Sequence, residues 1–156
     1  MRVLQAAPKR DDAVLPAADF ADAWVVRGVQ AGETVPVVTA RVFGGAPRWI
    51  KHLLDLRNLL VAPFGLKTRP SDGRVSLGGF SFPVLSTNPK RVVLGLDDRH
   101  LDFRIVVEME PDGADALAVK ATTYVRTHNL GGRLYLAAVK PFHRLIVPAM
   151  LKRAVA

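Results

Sequence analysis

The residues best suited to chemistry form one dense polar cluster and one strand-to-helix junction. In the cluster "DDRHLDFR", His100, Asp102 and Arg104 stand two apart, so a regular strand would carry all three on one face. An imidazole beside a carboxylate can orient a general base or fix a histidine tautomer. The same spacing is also typical of a solvated charge ladder, in which Asp102 and Arg104 meet Lys120 and Arg126 on a neighbouring strand. The residues favour the ladder and leave the His–Asp site as the alternative.

The junction is the segment "VRTHNLGGRLYLAAV", where a strand-like stretch runs through His-Asn and two glycines into a helix whose charges are all basic. Asparagine is a favoured helix N-cap, so Asn129 or the flanking Thr127 is predicted to accept a bond from the first free N–H groups. His128 would then hold the corner between sheet and helix. The alternative is a polar group at the mouth of a cavity, near a helix N-terminus that favours anions.

Alternating apolar residues predict the strands that position these clusters. "FADAWVVRG" indicates a first strand, and "RVSLGGFSFPVLS" and "RVVLGL" indicate further strands on either side of the turn "TNPK". "LDFRIVVEME" and "LAVKATTYVRTHN" alternate apolar and polar residues, which is typical of antiparallel strands buried on one face. "PDGAD" between them predicts a turn, with its glycine in the left-handed conformation.

Three helices are predicted around those strands. "PVVTARVFGG" indicates a short helix that ends at a glycine pair, and "PRWIKHLLDLRNLLV" an amphipathic helix with one apolar stripe. A last helix runs from about Gly132 to Val155, with Pro141 and Pro148 inside it and each expected to bend the axis.

This order of elements predicts one α+β domain. Residues 1–19 are expected to form an arm or irregular start, and residues 20–156 a single domain. Helices cannot sit between sequential hairpins, so they segregate to one face or end of the sheet. We expect a curved antiparallel sheet wrapped around the long C-terminal helix, two shorter helices after the first strand, and a cavity between sheet and last helix.

The element order resembles the helix-grip fold of the START and polyketide-cyclase-like superfamily (SRPBCC-type). Four separated blocks, "RVFGGAPRWIKHLLDLRNLLVAPFGLKT", "FPVLS", "VLGLDDRHLDFR" and "THNLGGRLYLAAVKPFHRLIVPAML", are similar to a bacterial domain-of-unknown-function family. That family also occurs fused behind sugar-nucleotide-epimerase-like domains. The resemblance implies the helix-grip fold and, by fold analogy alone, small-molecule binding, although one fold hosts unrelated functions. It implies no functional residues, because the family has no established activity.

Composition narrows the classes of partner. The formal net charge is +8, and from Asn129 to the end there are five bases and no acid. A basic surface attracts anions, but a solvated charged face explains the same composition. The absence of cysteine excludes disulfides and thiolate ligands, and the first residues lack the apolar centre of a signal peptide. A cytoplasmic protein is the expectation.

Several functional classes find no support in the motifs. The four histidines have no metal-ligand spacing, the glycine pairs match neither GxGxxG nor GxxxxGK[ST], and there is no GxSxG. No cofactor or metal is therefore expected. Nucleic acid is not expected either, since the aromatic residues do not alternate with Lys and Arg along the sequence. A contact with anionic membrane is a weaker alternative, because the fold needs the apolar side of the last helix for its core. The helix residues concerned are Arg133, Lys140, Arg144, Lys152, Leu134, Tyr135, Phe142 and Ile146.

The function predicted from these observations is binding of a small apolar or amphipathic molecule between the sheet and the last helix. The walls of the cavity are predicted to be Trp49, Phe103, Tyr135 and Phe142, and its polar rim His100, Arg104, Arg126 and His128. The first alternative is an enzyme of cyclase or hydrolase type, which requires His100 and Asp102 to point into the cavity. The second is an interaction domain, which requires a filled core and an exposed apolar patch.

Overall fold

The computed structural model describes residues 3–11, 13–43, 48, 52, 74–77, 80–97 and 100–155. The predicted amphipathic helix that contains Trp49 lies outside the described residues, apart from residues 48 and 52. The elements are β1 Val3–Ala6, β2 Phe20–Gln30, α1 Val35–Phe43, β3 Arg74–Leu77, β4 Phe80–Asn88, β5 Arg91–Asp97, β6 Leu101–Pro111, β7 Ala116–Thr127, α2 Leu130–Leu151 and a 3-10 helix Lys152–Val155.

Within the described ranges, seven strands form one antiparallel sheet in the order β1-β2-β7-β6-β5-β4-β3. Strands β3 to β7 follow one another as hairpins, while β2 crosses to pair with β7. The two helices cover different parts of the sheet: α1 contacts β3 to β6, and α2 contacts β1, β2 and β7. The predicted fold class, α+β with a helix-grip arrangement, is confirmed.

The two faces of the sheet follow from the alternation in β6 and β7. Val107, Val119 and Ala121 belong to the main core together with residues of α1 and α2, whereas Val106 and Tyr124 point to the other side. We call the side covered by the helices the inner face and the opposite side the outer face. The turn between β6 and β7 contains Gly113 at φ 87°, the left-handed conformation predicted for it.

The C-terminal helix covers the inner face. It begins at Leu130, two residues before the predicted start, and includes both prolines. Its buried side chains include Ile146, Met150 and Leu151. The last four described residues tighten into a 3-10 helix, where the Ala154 carbonyl oxygen accepts a bond of 2.7 Å from Arg41. This bond ties the end of the chain to α1.

The N-terminal segment, predicted as an arm or irregular start, contains one more strand at the edge of the sheet, and its later part packs on the outer face. Strand β1 pairs with β2, with Val3 opposite Val26. Farther along, Leu15 is buried against Val106 and Tyr124. The Tyr124 hydroxyl donates to the Lys9 carbonyl oxygen at 2.6 Å, and burial raises the pKa of this phenol. The outer face therefore has a small apolar core of its own.

Candidate functional site

Asn129 is the N-cap of α2, as predicted. Its backbone is extended, and its Oδ1 atom accepts a bond of 2.9 Å from the Gly132 N–H. The other predicted cap residue, Thr127, instead donates its hydroxyl and its backbone N–H to the Asp19 carboxylate. These bonds, the hydroxyl bond foremost, hold the pKa of Asp19 below its usual range. The junction is thus fixed by hydrogen bonds on both sides.

The alternative interpretation, a pair of His100 with Asp102, is wrong. The Nδ1 atom of His100 lies 3.2 Å from Asn129 Oδ1 at the junction. The buried Asp102 carboxylate instead pairs with His128 Nε2 at 3.0 Å and with Arg126 at 2.9 Å. The ladder hypothesis is confirmed for Asp102 and Arg126, which face each other in the register of β6 and β7. The histidine that pairs with this carboxylate follows β7, not β5.

The electrostatics of this outer-face cluster favour an ionised carboxylate. Burial alone raises the pKa of Asp102, but the hydrogen bonds from His128 and Arg126 outweigh it and leave the pKa below its ordinary value. Arg104, two residues on, pairs with Asp97 at 2.7 Å. Arg104 therefore does not join the predicted ladder with Lys120 and Arg126; Tyr124 lies opposite it in the register, and Lys120 lies opposite Glu108.

A cavity of about 190 Å³ lies between the inner face and α2. Strands β2, β6 and β7 provide one wall through residues such as Phe20, Ile105 and Thr123, and α2 provides the other. Three predicted wall residues, Phe103, Tyr135 and Phe142, line it. The fourth, Trp49, lies outside the described residues.

The predicted polar rim lies away from this cavity. None of its four residues lines the cavity. The register of β6 and β7 is continuous from Leu101 opposite Thr127 to Pro111 opposite Leu117, so no bulge turns their polar residues inward. Successive residues of an unbroken strand point to opposite faces. Because Leu101 and Phe103 line the cavity, Asp102 and Arg104 point to the outer face. The cluster around Asp102 is therefore a separate outer-face site. The displaced rim residues are His100, Arg104, Arg126 and His128.

A different His–Asp pair does lie at the cavity. Nε2 of His143, a lining residue of α2, is 2.9 Å from Oδ1 of Asp22 on β2. The Trp24 indole N–H donates to the other oxygen, Oδ2, at 3.2 Å. The Asp22 side chain is 8% exposed and that of His143 16%. A carboxylate only accepts hydrogen bonds, so in the neutral form of the imidazole the hydrogen is on Nε2 and the lone pair on Nδ1.

The sequence alone did not predict this pair, although one feature pointed to it. In the strand pattern "FADAWVVRG", Asp22 lies on the same face as Trp24 and Val26, which are apolar. A carboxylate on a buried face needs a partner. The partner is 121 residues away, so only the tertiary fold identifies it.

The same end of the cavity contains an ammonium group. Lys140 lines the cavity, and its Nζ atom lies 5.0 Å from the centroid of the Phe20 ring. The ring of His143 meets the same phenyl ring edge-on, with centroids 6.2 Å apart. Among the described residues, no group of three or more His, Cys, Asp or Glu side chains could hold a metal ion.

The segment Leu130–Val155 is long and apolar enough to cross a membrane by length and composition alone. Its inner side is part of the core, where Tyr135 and Ile146 are buried. On the side of the helix that faces away from the sheet, Leu130, Leu134 and Leu145 are exposed. A spanning position would remove the core contacts and place Lys140 and Arg144 in hydrocarbon, which costs several kcal/mol. Peripheral contact with an anionic membrane stays the weaker, untested alternative.

Comparisons with known proteins give one family and remote structural matches. The family model described as "Protein of unknown function (DUF2867)" matches residues 14–150. The solved structure of CalU16 from Micromonospora echinospora matches with 16% identity and a TM-score of 0.39, covering 99% of this chain and 92% of that chain. The hypothetical protein jhp0584 from Helicobacter pylori matches with 12% identity and a TM-score of 0.40, covering 97% and 96%. No curated protein matches.

Proposed function

The chain belongs to the DUF2867 family of proteins of unknown function, and we propose that it binds a small, largely apolar molecule in the cavity between the sheet and α2. The observation that carries this proposal is the lining of the cavity. Most of the side chains around it are aliphatic or aromatic, and the polar groups among the described lining residues come from Thr123, Tyr135, Lys140 and His143. An apolar wall with a few placed polar groups is typical of small-molecule sites.

The volume limits the size of the ligand. A cavity of about 150 Å³ lined by apolar side chains binds benzene in another protein. The cavity here, about 190 Å³, is slightly larger and below the range of drug-sized pockets. The buried part of the ligand is therefore a single ring with a substituent or a short acyl chain.

Toluene is expected to stabilise the wild-type protein, and a variant with a filled cavity is expected to lose that effect. At a concentration about tenfold above its Kd, toluene should raise Tm by about 3 °C. Val139 lines the cavity on α2, so Val139→Trp would occupy the same space. The measurement is thermal unfolding with and without toluene, with circular dichroism to show that the variant is folded.

The matched control is Val37→Trp, the same substitution at a valine that is exposed on α1. This variant should keep the full toluene effect. Equal stabilisation of the two tryptophan variants would contradict binding in the cavity.

Asp22 and His143 favour a second candidate function, an enzyme that moves protons in the same cavity. The His100–Asp102 pair that such an enzyme was expected to use is absent from the cavity lining. The imidazole of His143, oriented by Asp22, can accept a proton from a bound molecule at Nδ1. The substrate would be a small compound with an acidic C–H beside a carbonyl group.

Acetophenone, a ring with an acetyl substituent, tests this candidate. In D2O a general base removes a methyl proton and the resulting enolate takes up a deuteron. The wild type should exchange these hydrogens about 100-fold faster than His143→Gln, the usual range for a positioned base. The exchange rates are followed by proton NMR. Equal rates in the two proteins would contradict the enzyme hypothesis and leave the binding function in place.

A further inference from the structure

Lys140 places a positive charge at an otherwise apolar cavity. Its side chain lines the cavity, and the ammonium lies over the Phe20 ring. Within the described part of the chain, no carboxylate forms an ion pair with it. The ring stabilises the charge only weakly in comparison with a carboxylate partner. The ammonium can therefore form an ion pair with an incoming anion.

His143 stands beside Lys140 on the same helix. Residues three apart on a helix are neighbours on its surface, and both side chains contact the Phe20 ring. Both oxygens of the Asp22 carboxylate accept bonds, from His143 and from Trp24, and among the described residues Asp22 forms an ion pair with His143 and not with Lys140. One end of the cavity thus offers a cation and an imidazole, and most of the other lining side chains are aliphatic or aromatic.

We propose that the cavity selects ligands that carry a carboxylate, with Lys140 binding the anionic group and the apolar walls enclosing the rest of the molecule. This inference rests on the proposed binding function and specifies its ligand class as small aromatic or short-chain carboxylic acids. A lysine in this position can also extend its ammonium into water while only its methylene groups line the cavity. In that arrangement a carboxylate on the ligand would not increase its affinity for the cavity.

Phenylacetate and phenylacetamide separate these two arrangements, because they share a shape and differ in charge. We expect isothermal titration calorimetry to give a Kd for phenylacetate at least about tenfold lower than for phenylacetamide, since hydrogen bonds to charged groups are the stronger ones. Lys140→Gln should remove this preference and change the affinity for the amide by less than about twofold. Lys140→Arg, which keeps the charge, should retain most of the preference.

The matched control is Lys152→Gln, which removes the same charge from an exposed position just after α2. It should bind both compounds as the wild type does. Equal affinity of the wild type for acid and amide, or a preference that survives Lys140→Gln, would overturn the carboxylate anchor while leaving the cavity function intact. If neither compound binds and toluene fails to bind as well, the proposed function itself is wrong and the inference falls with it.

Discussion

Replacing Gly132 with alanine is expected to destabilise the protein by about 3 kcal/mol, near the upper end of what overpacking costs. A Cβ atom on Gly132 would overlap the carbonyl oxygen of His100 and lie 2.9 Å from its carbonyl carbon. That oxygen cannot move freely, because it accepts a bond of 2.9 Å from the His128 N–H. The first turn of α2 would have to shift away from β6, which would also strain the cap bond from Gly132 to Asn129.

The neighbouring glycine is the control for this substitution. A Cβ atom on Gly131 would meet only side-chain atoms, His100 Nδ1 at 3.1 Å and Asn129 Oδ1 at 3.2 Å. Alanine is also a better helix former than glycine by about 1 kcal/mol, so Gly131→Ala should stay within about 1 kcal/mol of the wild type. Urea unfolding measures the free energy of unfolding of the two alanine variants and of the wild type. Similar free energies of unfolding for the two variants would contradict the close approach of helix and strand at Gly132.

Asp102→Asn is expected to lower the free energy of unfolding at pH 7 by about 2 kcal/mol. Removing one partner of a buried ion pair costs about 3–5 kcal/mol, and the value is reduced here because His128 and Arg126 are each about one-third exposed. Asparagine keeps the size of the side chain but places an amide where His128 and Arg126 meet a carboxylate. The effect is therefore electrostatic and should depend on pH.

The sign of that dependence follows from the lowered pKa of Asp102. Its folded-state pKa lies below the ordinary value of 3.8, so the unfolded chain takes up the proton first as the pH falls. The carboxylate contributes its full stability above pH 3.8 and loses it as the pH drops through the folded-state pKa. Wild type and Asp102→Asn should consequently converge in stability at low pH. A constant difference across the series would contradict an ionised, hydrogen-bonded Asp102.

Asp112→Asn provides the matched control for this pH series. Asp112 pairs at 3.4 Å with Arg27, whose side chain is 70% exposed. Exposed pairs contribute about 0–1 kcal/mol, so this variant should follow the wild type at every pH. A loss as large as that of Asp102→Asn would mean that burial does not distinguish the two carboxylates.

The parts of the fold that were predictable have short-range causes. The alternation in β6 and β7 assigns Val119 and Tyr124 to opposite faces without any knowledge of the other strands. The cap at Asn129 and the left-handed Gly113 likewise depend on a few neighbouring residues. Each of these features is decided by local geometry, so the sequence pattern suffices.

The candidate site was less predictable because its contacts join distant parts of the chain. Asp22 and His143 meet only when β2 lies beside α2, and nothing near either residue encodes that contact. The alternative His100–Asp102 pair failed for the same reason: proximity in sequence suggested His100 as the partner of Asp102, whereas strand pairing brings His128 there. Strand β1 was missed because four residues carry too little alternation to indicate a strand.

The most direct test of the central claim, that an apolar molecule binds between the sheet and α2, is a toluene titration followed by methyl-resolved NMR. Ile105 on β6 and Ile146, Val147 and Met150 on α2 line the cavity from its two sides. We predict saturable shifts of these methyl signals, with intermolecular contacts from toluene to both sides and no change at the exposed Val37. Shifts confined to surface methyl groups, or none at all under conditions where the protein is folded, would contradict the claim.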